Sequence, residues 1–121
     1  MRKIYKKLVR DKMIDVYKHD VENQVSATDY EARYLSKEET LEELKNKLAE
    51  EMEEVREAYD ETDKVHLKEE LGDLIEVIDA ILYHNDISLE EVLALREKKK
   101  EKRGGFEKGL YLEHIDYIDR P

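Results

Sequence analysis

Two long amphipathic helical patterns, joined by a short polar break, constrain this 121-residue chain more than any other feature. In the first, apolar residues recur every three or four positions along one helix face. They are Leu41, Leu44, Leu48, Met52, Val55 and Tyr59. Beyond the acidic break at 60–63, the second pattern covers a wider arc, which predicts the most buried helix of the protein. Its members are Leu67, Leu71, Leu74, Ile75, Val77, Ile78, Ile81 and Leu82.

Start and stop signals delimit these helices and predict two more. Ser36 with Glu39, and Ser88 with Glu91, have the spacing of capping boxes, and Asp11 is a candidate cap for a shorter N-terminal helix. The predicted helices span about 11–23, 36–60, 63–84 and 88–103. Residues 24–35 are expected to form a loop or a short extended piece. The chain therefore predicts an all-α fold, a bundle of about four helices with short extended terminal segments, in a single domain over 1–121.

Composition excludes several functional classes. A formal net charge of −10 argues against binding to nucleic acid phosphates over a broad surface. The absence of cysteine removes disulfides, thiolate zinc sites and thiol nucleophiles together. No apolar segment follows the basic N-terminus, and no run of residues approaches the length of a membrane span. We therefore expect a cytoplasmic protein with no membrane or nucleic acid partner.

The two long helices each carry an acidic cluster, at 50–54 and 69–73. On a helical wheel, Glu51 lies about 60° from the centre of the apolar stripe. Four carboxylates fall at the borders of the apolar faces: Glu51, Glu54, Glu70 and Asp73. Three others face outward, as expected of solubilising residues: Glu53, Glu69 and Glu76. Carboxylates at helix borders need compensation, either by a hard divalent cation or by surface pairing with lysines, and the wheel leaves both interpretations open.

A dense basic run at 98–103 precedes Gly104. Cations at a helix C-terminus complement the helix dipole, and the same residues could instead bind phosphates. Asp79 is a candidate substrate contact or a buried structural acid. The sequence contains neither a phosphate-binding GxxxxGK[ST] loop nor a GxSxG elbow, which argues against P-loop hydrolysis and serine nucleophile chemistry.

Four segments of the chain resemble one known group of enzymes. The run KLAEEMEE at 47–54, followed by ELGD at 70–73, is similar to the KLxEExxE and ExxD signature of the all-α nucleoside triphosphate pyrophosphohydrolases. This superfamily includes MazG-like and phosphoribosyl-ATP pyrophosphohydrolase-like proteins. The opening YKKLVRDKM at 5–13 and a KxxxRGxF pattern at 99–106 resemble one MazG-like subgroup.

The resemblance implies a helical enzyme, a homodimer or dimer of dimers, that uses Mg²⁺, with Mn²⁺ as a substitute. It would cleave a nucleoside or deoxynucleoside triphosphate to the monophosphate and pyrophosphate, in house-cleaning of the nucleotide pool. Carried over by position, the metal ligands would be Glu51, Glu54, Glu70 and Asp73. Glu50 would orient or deprotonate the attacking water. The candidate substrate contacts are Lys99, Lys102, Arg103, Arg10, Lys12, Lys47 and Asp79.

Two alternatives remain beside this expectation. One is a phosphoribosyl-ATP pyrophosphohydrolase, which shares the same implied chemistry on a different substrate. The other is a non-catalytic acidic helical interaction module, for which the acidic clusters would be solvated helix faces.

Overall fold

The computed structural model describes residues 1–119 and contains four α-helices, with no β-strand in that range. They are α1 (Met13–Glu22), α2 (Lys37–Tyr59), α3 (Lys64–His84) and α4 (Leu89–Arg103). The all-α expectation is confirmed, and the helix limits agree with the predicted ones to within one or two residues. None of the four helices is both long enough and apolar enough to cross a membrane.

Side-chain caps explain where the three longer helices begin. At α2 the capping box is complete: the Glu39 N–H donates to the Ser36 hydroxyl, and the Ser36 N–H donates to the Glu39 carboxylate. The Ser88 hydroxyl likewise accepts from the Glu91 N–H at α4. At α3 the Asp63 carboxylate accepts from the backbone two residues on. These caps satisfy N–H groups that have no partner inside the helix.

The predicted cap of α1 at Asp11 is wrong. The residue at the cap position is Lys12, which makes no side-chain cap bond because its side chain has no acceptor. The turn in which the Met13 N–H donates to the Arg10 carbonyl leaves Asp11 one residue too early. Residues 24–35 contain no helix or strand, as expected for a loop.

The chain divides into two compact units, residues 1–87 and the segment that begins at Ser88. In the first unit, α2 and α3 pack against each other as a helical hairpin. The buried hydrophobic residues are Leu44, Ala58, Val77 and Leu82. All four lie on these two helices, so the hairpin holds the core of the described chain.

The wide apolar arc of α3 is less buried than its sequence predicts. Leu71, Ile75 and Ile78 keep 41%, 59% and 39% of their surface exposed. One packed neighbour, α2, covers only one side of an arc this wide, which leaves the other side uncovered in the single chain. Since α2 has three buried residues and α3 has two, the expectation that α3 is the most buried helix is wrong for the single chain.

In the second unit, α4 ends at Arg103 and is followed by the cap residue Gly104, whose φ of 81° lies in the left-handed region that favours glycine. The described residues after it, 104–119, form no helix or strand. The basic residues in the last turn of α4 complement the negative end of the helix dipole.

Candidate active site

Three carboxylates meet across the α2–α3 hairpin. Glu51 of α2 and Glu70 and Asp73 of α3 each place one oxygen within 4.8 Å of the others. Glu70 and Asp73 lie three residues apart and so share a face of α3. The hairpin packing presents Glu51 opposite them. We call these three residues the acidic triad.

Glu51 is the most buried charged residue of the described chain, at 8% exposed. Burial raises the pKa of its carboxyl group. The positive charge of Lys47, whose Nζ lies 3.5 Å from Glu51 Oε1, opposes that rise, and the negative charge of Asp73 adds to it. The triad thus holds negative charge at a cost, which a bound cation would offset.

Glu50, next to Glu51 in sequence, is held differently. Lys7 donates a hydrogen bond to its carboxylate at 3.1 Å, and Lys47 lies 3.3 Å from the same oxygen. Burial alone would raise the pKa of Glu50, but the hydrogen bonds and charges of Lys7 and Lys47 together lower it. The hydrogen bond to Glu50 also raises the pKa of Lys7. Glu50 is therefore a carboxylate that stays ionised near neutral pH.

Two further side chains bind members of the acidic triad. Arg10 Nη2 donates to Asp73 Oδ1 at 2.7 Å. The two ring nitrogens of His66 lie 2.8 Å from Glu61 Oε2 and 3.1 Å from Glu70 Oε1. The hydrogen bond to Glu61, and after it the contact with Glu70, raises the pKa of His66. Glu70 is thus tethered through His66 to the acidic loop between α2 and α3.

Sequence reasoning missed Lys7 and His66. His66 precedes Glu70 by one helical turn, and that spacing was a usable signal. Lys7 lies inside the opening motif at 5–13, but its partner Glu50 is 43 residues away, so no local pattern connects the two.

The remaining predicted metal ligand, Glu54, is half-buried and lies outside the acidic triad. The three acids expected to face outward, Glu53, Glu69 and Glu76, are all exposed. The helical wheel therefore separated inward from outward carboxylates correctly, and the structure brings together three of the four inward ones.

The other five candidate substrate residues are all exposed, and three of them belong to the second unit. Lys12 is exposed at the N-terminal cap of α1, and Asp79 is exposed on α3 rather than buried. Lys99, Lys102 and Arg103 are exposed in the last two turns of α4. Within residues 1–119, none of these five side chains takes part in an ion pair.

The donor chemistry of the acidic triad fits a hard divalent cation. Mg²⁺ prefers oxygen ligands at about 2.1 Å in octahedral geometry, which spaces neighbouring ligand oxygens by about 3 Å and opposite ones by about 4 Å. Oxygens within 4.8 Å of one another need only small side-chain movements to reach that spacing. No cysteine is present, and the one histidine beside the triad contacts Glu70, so the donor set consists of carboxylates.

The part of the chain that contains the acidic triad matches a known protein family. Residues 39–105, more than half of the chain, match the family model of the MazG nucleotide pyrophosphohydrolase domain. The match covers α3, α4 and all but the first two residues of α2, and it includes all three residues of the acidic triad. It leaves out the N-terminal segment that carries Lys7 and Arg10. Neither the curated proteins nor the solved structures gave a significant match.

Proposed function

This chain belongs to the MazG nucleotide pyrophosphohydrolase family, and we propose that it is a Mg²⁺-dependent enzyme that converts nucleoside or deoxynucleoside triphosphates to monophosphates and pyrophosphate. As a member of that family it is a hydrolase of phosphoanhydride bonds. The observation that carries the proposal is that the acidic triad of Glu51, Glu70 and Asp73 lies within the residues that match a family of metal-dependent enzymes.

We assign Glu51, Glu70 and Asp73 as the residues that hold the metal, with Glu54 as a fourth ligand nearby. When bound, Mg²⁺ would supply charge neutralisation of the triphosphate and a lowered pKa of bound water. The burial of Glu51 supports this assignment, because a buried carboxylate with a raised pKa gains most from a cation. His66, which also contacts Glu61, restrains the carboxylate of Glu70 beside the other two.

We assign to Glu50 the task of orienting the attacking water. Its lowered pKa keeps it ionised near neutral pH, so its carboxylate can accept a hydrogen bond from that water and orient it towards the α-phosphorus. The same low pKa makes Glu50 a weak base, which favours orientation over proton abstraction as its main task.

The phosphates of the substrate need cations, since the rest of the chain is acidic. We assign Lys99, Lys102 and Arg103 to the leaving pyrophosphate, because they are exposed and Arg suits bidentate phosphate contacts. Lys12 and Arg10 are candidates for the same task, and Lys47 and Asp79 for other substrate contacts.

A second copy of the chain is the partner that we propose for the uncovered side of α3. The exposed surfaces of Leu71, Ile75 and Ile78 lie on one of the two helices that build the site. A contiguous exposed apolar face of this kind marks an interface in soluble proteins. Light scattering at several concentrations tests this, and Ile75→Asp should shift the mass to that of a single chain.

The experiment for the activity is an assay of purified protein with a panel of nucleoside triphosphates and Mg²⁺ or Mn²⁺. The expected products are the monophosphate and pyrophosphate, so pyrophosphate and orthophosphate are measured separately. Orthophosphate alone would mean cleavage at the outer bond, and no release from any substrate would overturn the proposal. Direct competition with phosphoribosyl-ATP decides whether that compound is the preferred substrate.

A further inference from the structure

The N-terminal segment binds the acidic site through two long-range ion pairs. Lys7 contacts Glu50 and Arg10 contacts Asp73, across 43 and 63 residues of sequence. We propose that Arg10 is an exchangeable counter-ion: it occupies Asp73 when no metal is bound, leaves when a divalent cation binds, and then contacts the substrate phosphates. The inference rests on the proposed metal site and extends it to a residue outside the family match.

The charges at the site show why such a counter-ion is present. Four carboxylates lie together: Glu50, Glu51, Glu70 and Asp73. Three permanent cations contact them: Lys7, Arg10 and Lys47. With Glu54, the proposed fourth ligand, the carboxylates outnumber these cations by two, so the three cations offset part of the negative charge when no metal is bound. A dication that binds the carboxylates would take over part of this neutralisation, so the cation on a shared carboxylate would no longer be needed there.

Arg10 is the cation that can move most easily. Its side chain is 60% exposed, whereas that of Lys47 is 19% exposed and sits on the same helix as both of its partners. Exposed ion pairs contribute little to stability, so breaking this one costs little. Arg10 also lies before α1, in a segment without helix or strand, which allows its side chain to swing without disturbing the hairpin.

Asp73 is the carboxylate for which Arg10 and a bound metal ion would compete. Its Oδ1 already accepts from Arg10 at 2.7 Å. A metal bound to either oxygen of the same carboxylate would bring a double positive charge within a few ångströms of the guanidinium, with strong repulsion between them. Lys7 does not face this competition directly, because its partner Glu50 is not one of the three triad residues.

A released Arg10 would lie beside the metal, where the triphosphate must bind. Guanidinium groups form bidentate hydrogen bonds with phosphate oxygens, which are stronger acceptors for them than water. Arg10 would thus have two oxyanion partners in succession: the carboxylate of Asp73 before the metal binds, and a phosphate of the substrate afterwards.

The test is to measure Mn²⁺ binding without nucleotide, by the loss of the free-ion electron paramagnetic resonance signal, in the wild type and in Arg10→Ala. Removing the competitor should lower Kd by about 1.5- to 5-fold, the range that corresponds to a single exposed ion pair. Arg2→Ala is the matched control. It removes a guanidinium from the same segment, and Arg2 itself makes no ion pair among the described residues. Its Kd should stay at the wild-type value.

The second arm measures steady-state kinetics at saturating metal. Arg10→Ala should raise KM for the triphosphate by roughly tenfold, as expected for the loss of a charged hydrogen bond. Arg10→Ala should therefore lower Kd for Mn²⁺ and raise KM for the triphosphate. A merely structural role of Arg10 would not change these two constants in opposite directions. In the folded wild type, the Arg10 Nε–Hε resonance should also shift when Mg²⁺ is added, and Glu51→Gln should abolish that shift.

Weaker or unchanged Mn²⁺ binding in Arg10→Ala overturns the proposal, because Arg10 would then orient Asp73 or play no part. Absence of Mn²⁺ binding in both proteins overturns it together with the proposed metal site. If Mn²⁺ binds and Arg10→Ala binds it more tightly, but no triphosphate is hydrolysed, the proposed function fails while the exchange at Asp73 stands.

Discussion

Two sets of carboxylates on the same two helices have opposite surroundings. The inward set, Glu51, Glu70 and Asp73, gathers across the hairpin, with one oxygen of each carboxylate within 4.8 Å of the others. The outward set, Glu53, Glu69 and Glu76, is exposed to solvent. Glu69 and Glu70 are neighbours in sequence, so a single step of 100° around α3 separates the two surroundings. Position on the helix, rather than residue type, gives a carboxylate its chemical role here.

The largest expected effect separates the two sets by activity. Glu51→Gln or Asp73→Asn should lower metal-dependent pyrophosphate release by at least about 100-fold, since even residues that only hold a metal ligand in place commonly cost 10- to 100-fold. Both substitutions keep the shape of the side chain and remove its charge. Pyrophosphate release under saturating Mg²⁺ measures the loss.

Glu53→Gln and Glu69→Gln are the matched controls, with the same chemical change on the same helices. They should keep activity close to that of the wild type. Equal loss in both sets would mean that net charge, and not the gathered oxygens, determines activity.

The second-largest expected effect is the stabilisation of the folded protein by bound metal. Mg²⁺ at 100 times its Kd should stabilise the wild type by about 2.7 kcal/mol, because the folded state alone binds it. Glu51→Gln should lose this gain. Its metal-free form should melt at or above the wild-type temperature, because burial raises the pKa of Glu51 and its ionisation at neutral pH therefore opposes folding. Thermal unfolding with and without Mg²⁺ measures both quantities.

Glu69→Gln again serves as the control and should keep the full metal-induced increase. A metal-free Glu51→Gln protein that melts well below the wild type would contradict this prediction, because the charge of Glu51 would then stabilise the fold rather than oppose it.

A smaller effect is expected at His66, which contacts Glu70 without belonging to the inward set. His66→Ala should lower kcat/KM by about tenfold, the lower range for a residue that positions a metal ligand. His66→Gln, which can still donate to one carboxylate, should recover part of the loss. Helical content measured by circular dichroism should stay unchanged in both variants, and full activity of His66→Ala would show that Glu70 needs no tether.

The smallest effect concerns Glu39, an exposed acid that is nevertheless paired. The hydrogen bond from Arg33, and after it those from Ser36, lower the pKa of Glu39 to about 2. Since its folded pKa lies below the unfolded one, its contribution to stability is present above the unfolded value of 4.5 and is lost as pH falls towards 2. Urea midpoints at pH 5 and pH 3 should therefore differ less in Glu39→Gln than in the wild type.

Glu38→Gln is the control for this prediction, because Glu38 occupies the same first turn of α2 without an ion pair among the described residues. Its urea midpoints should keep the wild-type dependence on pH. A Glu39→Gln protein with that same dependence would show that the capping box stores no pH-sensitive stability.

The helices, and the directions in which their acidic side chains point, follow from local sequence patterns. Ser36, Asp63, Ser88 and Gly104 set helix limits through contacts with residues a few positions away, so local patterns suffice to predict them. The wheel likewise sorted Glu51 from Glu53, since the direction of a side chain on a helix follows from its position along the repeat.

Which of the inward acids meet, and which cations neutralise them, depends instead on how the folded chain packs. Glu54 belongs to the same ligand set as Glu51 in the family resemblance, yet it lies outside the triad. The contacts of Lys7 with Glu50 and of Arg10 with Asp73 join residues far apart in the chain. Such contacts depend on how the hairpin and the N-terminal segment pack, and helical periodicity carries information only about neighbours within a few turns.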